Sequence, residues 1–541
     1  MDNKYRQKIF FYAVAGLLLA ISSFMHFWKI GDVPNGFFFD EVSIGYNAWS
    51  IGETGANEYG DRYPVFFHIF DKYYNEPVMI YTLVPLVKVF GLGKAVIRLP
   101  SGIFIILAGI AFYFLSYKLT RSRWTSVFSA FIFTVVPCGF AISRSSMSGF
   151  TPMLLGITAG FYFLFESLSR KSFWWPVASA FFLVLAMYSH TAGRPAVFIA
   201  LVCFALAFNM LLLKRWRIFL VFLSSCVFFL LPMFIALIRN PHVLTSRINE
   251  ISLWKDAPPI YELACRICSR YLDYFSPEFL FISGDAEPRH NACNAGGLYV
   301  FMLPFVVAGI FYTIREFRRN PYCRFILLAL LSYPTAAVVT MDRMHGTRTL
   351  SGLPFWCVIS VLGFCFIWKN KVKLRPLVIA VLCFSVIEIS SYFVSYFGSY
   401  ALKSRSSFFA PFVETLEASF PELGKGDTLY VSNSVFPHPV DKGFKPTWYI
   451  YFLLLGNIHP AVYQKAGIPE EHIQPYEGKT SRPGILIRMN SVIKADDGGN
   501  VVAVLNSEPL PPNSKLIRKI PLSVGSDRFF EVYRVYGIAG K

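Results

Sequence analysis

Two adjacent carboxylates, Asp40 and Glu41, lie in an aromatic stretch near the start of the chain, which reads GFFFDEVSIGY. A carboxylate at the edge of a substrate site can accept the proton of an attacking hydroxyl group, which is general base catalysis. A solvated acidic pair that caps a helix is the alternative interpretation. The aromatic neighbours Phe39 and Tyr46 favour a functional pair, because they can partly remove water from the carboxylates.

A second chemical feature is a set of basic side chains in the short segments between apolar runs. The set consists of Arg98, Arg144, His190, Arg194, Arg343, His345 and Arg348. One such residue on its own is typical of an interfacial side chain that extends to lipid headgroups. Because arginine can hold two phosphate oxygens at once, the whole set beside an acidic pair favours a site for an anion such as a lipid-linked phosphate.

The composition indicates what kind of protein must position these residues. The chain has 541 residues, of which 55% are hydrophobic, 18% aromatic and only 16% charged. These values predict a polytopic α-helical membrane protein. The formal charge of +18 does not indicate nucleic-acid binding, because the basic residues form short clusters between apolar runs. The basic N-terminus precedes an apolar run without a cleavage site, so we expect an uncleaved first span.

Apolar segments of spanning length predict about eleven transmembrane helices. The segments are 8–28, 99–117, 124–142, 150–167, 173–189, 195–213, 218–238, 297–314, 324–341, 350–368 and 376–396. Together they form a predicted membrane domain over residues 1–396.

Segment 77–93 is apolar but short, contains Pro85 and carries Lys88. If it lies on the membrane surface, sixteen basic residues of the short loops share the side of the N-terminus and four lie opposite, as the positive-inside rule requires. We therefore expect an interfacial helix here. The same argument predicts a cytoplasmic N-terminus and long outside loops at 29–98 and 239–296.

Residues 397–541 differ in pattern from the rest and are predicted to form an extracytoplasmic α/β domain. A helical pattern over 408–418 precedes short β-rich runs at 428–431, 485–487, 501–505 and 529–535. A region of about 140 residues is large enough to bury its own core.

Three cysteines share the second outside loop, at Cys265, Cys268 and Cys293. With His290 they could form a zinc site, but this spacing is weak evidence for one. A disulfide between Cys293 and one of the other two is the expectation for an extracytoplasmic loop.

Several motifs resemble the GT-C glycosyltransferases, close to the protein O-mannosyltransferase and lipid A aminoarabinose transferase families. They are GFFFDEVSIGYNAWSI, EYGDRYPVFF, NEPVMIYTLVPLVKVFGL, VIRLPSGIF, AISRSSMSGF and, more loosely, MHGTRTLSGLP. The resemblance implies a GT-C fold and a polyprenyl-phosphate sugar donor. It also places Asp40 at the catalytic position and identifies Arg98 as the family's arginine near the second span.

The sequence departs from the family in two places. Where many relatives have Lys-Pro-Pro, this chain has Asn75, Glu76 and Pro77, so that Lys72 is the nearby substitute for the lysine. The outside loop SRSSMSGF lacks the second Asp of some relatives. The roles expected are therefore a catalytic base at Asp40 and acceptor contacts from Glu41 and Tyr46, with orientation of Asp40 as the alternative role of Glu41. The residues expected to bind the donor phosphate are Lys72, Arg98, Arg144, His190, Arg194, His345 and Arg348.

The expected reaction is inverting transfer of a sugar from the lipid phosphate to a hydroxyl of a glycolipid, polysaccharide or protein outside a bacterial inner membrane. No cofactor is required in principle, and a divalent metal is possible but not indicated. A flippase or other transporter of lipid-linked sugars is the first alternative. It would need ionisable residues inside the membrane, where Glu388 is the clear candidate. An O-antigen ligase or polymerase is the second.

Overall fold

A computed structural model provides the fold. The residues that it describes are 3–246, 248–424, 427–432, 447–467, 473–476, 484–489, 491–495, 501–505, 510, 514–523 and 528–536.

The described chain is mainly helical. Its first half contains α1 Asn3–Phe27, α2 Phe39–Thr54, α3 Pro77–Phe90, α4 Lys94–Thr120, α5 Arg123–Val135, α6 Pro137–Ser143, α7 Phe150–Ser167, α8 Trp174–Ser189, α9 Gly193–Lys214 and α10 Trp216–Arg239. The helices that follow are α11 His242–Thr245, α12 Ile248–Ile251, α13 Ile260–Asp273, α14 Leu303–Glu316, α15 Pro321–Ser332, α16 Thr335–Val338, α17 Leu353–Asn370, α18 Arg375–Ser395, α19 Ala401–Ser407, α20 Ala410–Ser419, α21 Tyr449–Leu455 and α22 Pro460–Ala466.

Local sequence signals explain several helix ends. Ser122 precedes α5 and accepts a hydrogen bond from the backbone N of Thr125 at 3.3 Å, and Asn320 accepts one from Tyr322 N at 2.9 Å before α15. The helix α2 ends at Gly55, whose φ of +71° glycine adopts at little cost.

Each of the eleven predicted spans contains helical structure. Among the described residues, seven helical stretches are long and apolar enough to cross a membrane, and eight if α5 and α6, which meet at a 57° bend, form one span. The protein is therefore a multi-pass membrane protein. The predicted spans outside this count are α7, α8 and α14, with 18, 16 and 14 residues. Most of α7 is buried by neighbouring helices.

The first predicted outside loop contains regular secondary structure. It contains α2, the antiparallel hairpin of β1 Phe67–Ile69 and β2 Tyr73–Asn75, and α3. The helix α3 has 14 residues, about 21 Å at 1.5 Å per residue, which is shorter than the hydrocarbon core. This length agrees with the predicted surface position of segment 77–93, which stays a prediction.

The C-terminal region contains the predicted strands. The four runs named in the sequence correspond to β3 Thr428–Ser432, β5 Gly484–Met489, β7 Val501–Leu505 and β9 Phe529–Val535. Three further strands are β4 Ile473–Tyr476, β6 Ser491–Ala495 and β8 Ser514–Pro521. Five of the strands form a mixed sheet in the order β4-β3-β5-β9-β8, in which β3 runs parallel to both neighbours. The strands β6 and β7 form a separate antiparallel pair. The prediction that this region combines helices and strands is confirmed.

The C-terminal region and the first outside loop share one hydrophobic core. Ile44 and Leu83 of the loop belong to the same buried cluster as Phe412, Leu416 and Ile450. The division of the chain at residue 397 stays a prediction, but side chains from both sides of it pack together, which the sequence pattern does not indicate.

The predicted disulfide is wrong. All ten cysteines are free thiols, with Cys265 and Cys268 exposed on α13. Cys293 is half-buried and packs against the main hydrophobic core.

Candidate functional site

A cavity of about 1520 Å³ opens among the connecting segments of the helices. Its walls come from the start of α2 and the hairpin β1–β2, from the connections α6–α7 and α8–α9, from segments within 243–290 and 335–348, and from residues of the C-terminal region. Most of these segments lie in the loops that the charge pattern assigns to one face of the membrane. Some of the predicted site residues line this cavity and others do not.

Asp40 lines the cavity from the first turn of α2. The turn is closed by a hydrogen bond of 3.1 Å from the backbone N of Phe38 to Glu41 Oε2. A carboxylate in the first turn of a helix interacts favourably with the helix dipole. Asp40 is half-buried, so it is accessible from the cavity while its backbone is held by a regular helix.

Glu41 does not line the cavity and is completely buried. Its Oε1 accepts hydrogen bonds from Arg98 Nε at 2.8 Å and Ser146 N at 3.0 Å, and its Oε2 accepts one from Arg98 Nη2 at 3.0 Å. The structure therefore corrects the acceptor-binding role predicted for Glu41, because this carboxylate has no surface to offer a substrate. Its contacts instead fix the first turn of α2, which carries Asp40.

Arg98 and Arg144 are also buried and do not line the cavity. Besides Glu41, Arg98 donates to the carbonyls of Ile30, Pro34 and Gly36 at 2.9–3.1 Å. Arg144 donates to carbonyls at and beyond the end of α1, namely those of Met25, His26, Trp28, Lys29 and Val33. The last carbonyls of a helix have no partner within the helix. Arg144 satisfies such groups at the end of α1, and Arg98 satisfies carbonyls of the segment that follows it, so the donor-binding role predicted for both is corrected.

Two further predicted residues lie away from the cavity lining. Tyr46 is buried, and its hydroxyl donates to the carbonyl of Ile458 at 3.0 Å. Lys72 is exposed at the turn between β1 and β2, where its amine lies 5.8 Å from the ring centre of Tyr73. The acceptor role of Tyr46 and the donor role of Lys72 therefore find no support in the geometry.

The structure brings the other predicted donor residues together. His190, Arg194, His345 and Arg348 all line the cavity. Arg194 Nη2 lies 3.1 Å from Glu76 Oε1. That pair places Glu76, one of the positions at which the sequence departs from the family pattern, in the cavity wall.

Arg289 and His290 also belong to this basic wall, and the sequence does not predict that they line the cavity. The Arg289 guanidinium lies 4.1 Å from the ring centre of Phe38, and its Nε lies 2.9 Å from Glu287 Oε1. Contact with Phe38 places Arg289 beside the turn that carries Asp40. In the sequence, Arg289 and His290 are only an Arg-His pair in a long predicted outside loop. The residues around them show no helical or strand periodicity that would indicate where they lie.

Asp285, His290 and His345 could hold a metal ion. Their ligand atoms lie within 4.8 Å of one another, and His290 Nδ1 lies 3.0 Å from Asp285 Oδ2. Burial and the charge of Arg348 lower the pKa of His345 to about 3, so its imidazole is neutral. Two imidazoles and a carboxylate are ligands that zinc and similar divalent ions accept. The sequence analysis did not predict this set.

An aromatic wall stands beside Asp40. The ring centres of Phe38 and Phe39 lie 4.1 Å apart, and Phe409 lies 5.6 Å from Phe38 and 5.2 Å from Trp448. All four residues line the cavity. Phe409 and Trp448 come from the C-terminal region, so the cavity is completed by residues more than 360 positions after Asp40.

Another part of the lining is apolar. It consists of Val243, Leu244, Ile248, Ile251, Ala336 and Val339. Backbone hydrogen bonds from Leu253 N to Val339 O at 2.9 Å and from Met341 N to Ile251 O at 2.6 Å hold its two segments together. The cavity thus combines a carboxylate, a basic wall, an aromatic wall and an apolar wall.

No protein-family model and no curated protein sequence matches the chain. Solved structures do. ArnT from Cupriavidus metallidurans in the apo state has a TM-score of 0.51 at 12% identity, over 93% of this chain and 98% of ArnT. An apo oligosaccharyltransferase from Archaeoglobus fulgidus has a TM-score of 0.52 at 11% identity, over 94% of this chain and 76% of the other.

A structure of AglB, an oligosaccharyltransferase from Archaeoglobus fulgidus, in complex with an inhibitory peptide and a dolichol-phosphate, has a TM-score of 0.50 at 10% identity. It covers 94% of this chain and 75% of AglB. At these identities the likeness shows the fold. The chain has the GT-C fold that the sequence motifs predict.

Proposed function

We propose that the protein is an inverting glycosyltransferase that moves a sugar from a polyprenyl-phosphate donor to a hydroxyl of an extracytoplasmic acceptor. The observation that carries the proposal is the convergence of Asp40 with basic, aromatic and apolar walls in one cavity. The shared fold supports it, because AglB was solved with a dolichol-phosphate, which is a lipid phosphate of this chemical class. Mass spectrometry of envelope glycans from cells with and without the protein tests it, and a glycan that loses one sugar is the expected result.

The donor phosphate is assigned to the basic wall. Arg194, Arg289 and Arg348 carry charge at the cavity surface, and a guanidinium can donate two parallel hydrogen bonds to a phosphate. The apolar wall is suited to the first isoprene units of the lipid. His345 is neutral by virtue of its low pKa and contributes a hydrogen bond or a metal ligand, not a charge. A divalent ion held by Asp285, His290 and His345 would add positive charge near the leaving phosphate.

Arg289→Gln is expected to weaken donor binding by about tenfold to a hundredfold, because it removes a charge-assisted hydrogen bond worth about 1.5–3 kcal/mol. The measurement is binding of undecaprenyl phosphate to purified protein in detergent. Arg343→Gln is the matched control, since the Arg343 side chain is 63% exposed, pairs with Asp273 and does not line the cavity. Equal donor affinity in both variants would remove Arg289 from the phosphate site.

The acceptor is assigned to the space between Asp40 and the aromatic wall, because aromatic rings pack well against the apolar faces of sugars. In the reaction, Asp40 accepts the proton of the acceptor hydroxyl as that oxygen bonds to the anomeric carbon. The bond between this carbon and the phosphate oxygen breaks, and the lipid phosphate leaves with the electron pair. One base and a direct displacement invert the anomeric configuration.

The orientation in the membrane follows from charge and is part of the proposal. We assign the N-terminus to the cytoplasm and the cavity to the outer face of a bacterial inner membrane. Cysteine substitutions at Lys72 and Lys403 should react with a membrane-impermeant thiol reagent on spheroplasts, whereas substitutions at Lys118, Lys214 and Lys371 should not. Lys425, which the same argument assigns to the outer face, lies outside the described residues. Reaction at position 118 without reaction at position 403 would contradict the assigned orientation and indicate the opposite one.

Glu388, the ionisable residue on which the transporter alternative depends, has a structural role. Glu388 accepts hydrogen bonds from the backbone N of Val300 at 2.7 Å and of Phe301 at 3.0 Å, next to the start of α14. This is a capping role, and it accounts for a charged residue in α18 without a transport path. A ligase or polymerase would use the same donor chemistry, and the glycan masses distinguish it, because it adds many sugar units instead of one.

A further inference from the structure

The helix α13, Ile260–Asp273, exposes a large apolar surface although it belongs to a folded loop. Ile260, Tyr261 and Leu272 are 80%, 71% and 67% exposed. At 3.6 residues per turn, one arc of about 100° contains only apolar side chains. These are Tyr261, Ala264, Cys265, Cys268 and Leu272, all of them exposed. We call this the outer apolar arc.

The remaining surface of α13 divides into two further arcs. Leu263, Ile267 and Tyr271 are partly buried, and the last two pack against the main hydrophobic core. The polar residues all fall on the third arc, opposite the apolar ones, and they are Glu262, Arg266, Ser269, Arg270 and Asp273. The outer apolar arc adjoins the protein-facing arc, so the helix has one continuous apolar side and one polar side. This pattern is typical of a helix in the plane of a membrane interface.

The position of α13 in the fold connects this arc to the membrane-spanning surface. The Tyr271 hydroxyl donates to the carbonyl of Leu331 at 2.6 Å, at the end of α15. Leu331 is 47% exposed on a stretch that is long and apolar enough to span a membrane. Tyr271 lies at the border between the protein-facing arc and the outer apolar arc. The outer apolar arc of α13 therefore adjoins the exposed apolar surface of the spanning stretch that contains α15.

We propose that α13 lies in the membrane–water interface of the outer leaflet of the membrane that the protein spans. The outer apolar arc then contacts the acyl chains, and the polar arc faces water. The same helix is tied to the cavity, because Arg270 donates to the carbonyl of the lining residue Thr340. Just after it, the Tyr274 hydroxyl accepts a hydrogen bond from His345 N at 3.1 Å. Through these contacts α13 holds one wall of the cavity at the depth of the lipid headgroups. This proposal does not depend on the reaction that occurs there.

The first test uses the wild-type chain in nanodiscs of phosphatidylethanolamine and phosphatidylglycerol that contain a diazirine-bearing phosphatidylcholine. After photolysis, peptide mapping should find lipid adducts on the outer apolar arc and none at Glu262 or Ser269. Val386 and Ile387 of α18, which are 64% and 66% exposed in a span, provide the positive control. Adducts on α18 without adducts on α13 would overturn the proposal.

The second test compares adjacent positions on the same helix. An environment-sensitive fluorophore is attached at Cys268 with the other nine cysteines replaced, and at Ser269→Cys with all ten native cysteines replaced. We expect a blue-shifted emission and loss of fluorescence with doxyl-labelled phospholipid at 268, and quenching by aqueous iodide at 269. Equal iodide quenching at both positions would contradict contact of the outer apolar arc with the membrane. Protection of 268 that persists in detergent, together with crosslinking between two copies, would assign the arc to a dimer interface and also overturn the proposal.

Discussion

Asp40→Asn is expected to lower sugar transfer by a factor of about 100 to 10,000, the usual contribution of general acid–base catalysis. The substitution preserves the shape of the side chain and removes its ability to accept a proton. The basic and apolar walls are unchanged, so binding of the donor should survive. A loss of turnover with intact donor binding is the result that identifies a base, because a binding residue would lower donor affinity instead.

The measurement is transfer of radiolabel in proteoliposomes from lipid-linked sugar extracted from the native membrane, with donor binding determined separately. Glu53→Gln is the matched control, because Glu53 lies on the same helix, is 44% exposed and does not line the cavity. It should transfer sugar at the wild-type rate. Near-normal turnover of the Asp40 variant would refute the proposed base and remove the main support for the proposed reaction.

Arg98→Met is expected to destabilise the protein by about 3–5 kcal/mol, because it leaves the Glu41 carboxylate buried without its partner. Both side chains have zero exposure and their ion pair is 2.8 Å long. The double variant Glu41→Gln/Arg98→Met should lose less stability than the sum of the two single variants, because the second change removes the uncompensated charge. Thermal unfolding of the protein in detergent measures both effects.

A second readout separates this structural role from the donor-binding role that the sequence predicts for Arg98. At a temperature where the variant is folded, a positioning role leaves the affinity for undecaprenyl phosphate unchanged, whereas a phosphate contact lowers it. Lys94→Met is the control for loss of an ion pair. Lys94 lies one turn earlier on α4 and pairs with Glu417 at 2.8 Å, but both side chains are partly exposed, so the cost should be at most about 1 kcal/mol. An unchanged melting temperature for Arg98→Met would contradict the buried network.

The elements of this fold are predictable from the sequence because each has a local pattern. Apolar runs predict the spanning helices, and alternating β-rich runs predict strands such as Phe529–Val535, which the structure confirms. The position of Asp40 also follows from local information, since a short acidic motif after the first span leads directly into α2. The shared core between α2 and the C-terminal region does not follow, because it depends on contacts between residues about 400 positions apart.

The roles of the arginines are less predictable, for a physical reason. An arginine at the edge of a span can reach a lipid phosphate or satisfy orphan carbonyls at a helix end, and both sites look alike in sequence. Arg144 binds carbonyls of residues 25–33, and Arg98 binds a carboxylate 57 positions earlier. Arg194 and Arg348 lie in similar contexts but line the cavity. Only the distances between segments distinguish the two groups.

The residues of the aromatic wall are synthesised at very different times during translation. Phe38 and Phe39 leave the ribosome early, whereas Phe409 and Trp448, which complete the wall, are synthesised near the end of the chain. The basic wall, which ends at Arg348, is translated in between. A nascent chain that has reached residue 400 therefore holds every residue proposed for the donor but still lacks Phe409 and Trp448, which belong to the wall proposed for the acceptor. On the proposed function, the residues of the donor side are therefore all synthesised before the last residues of the acceptor side, and the C-terminal region completes the site.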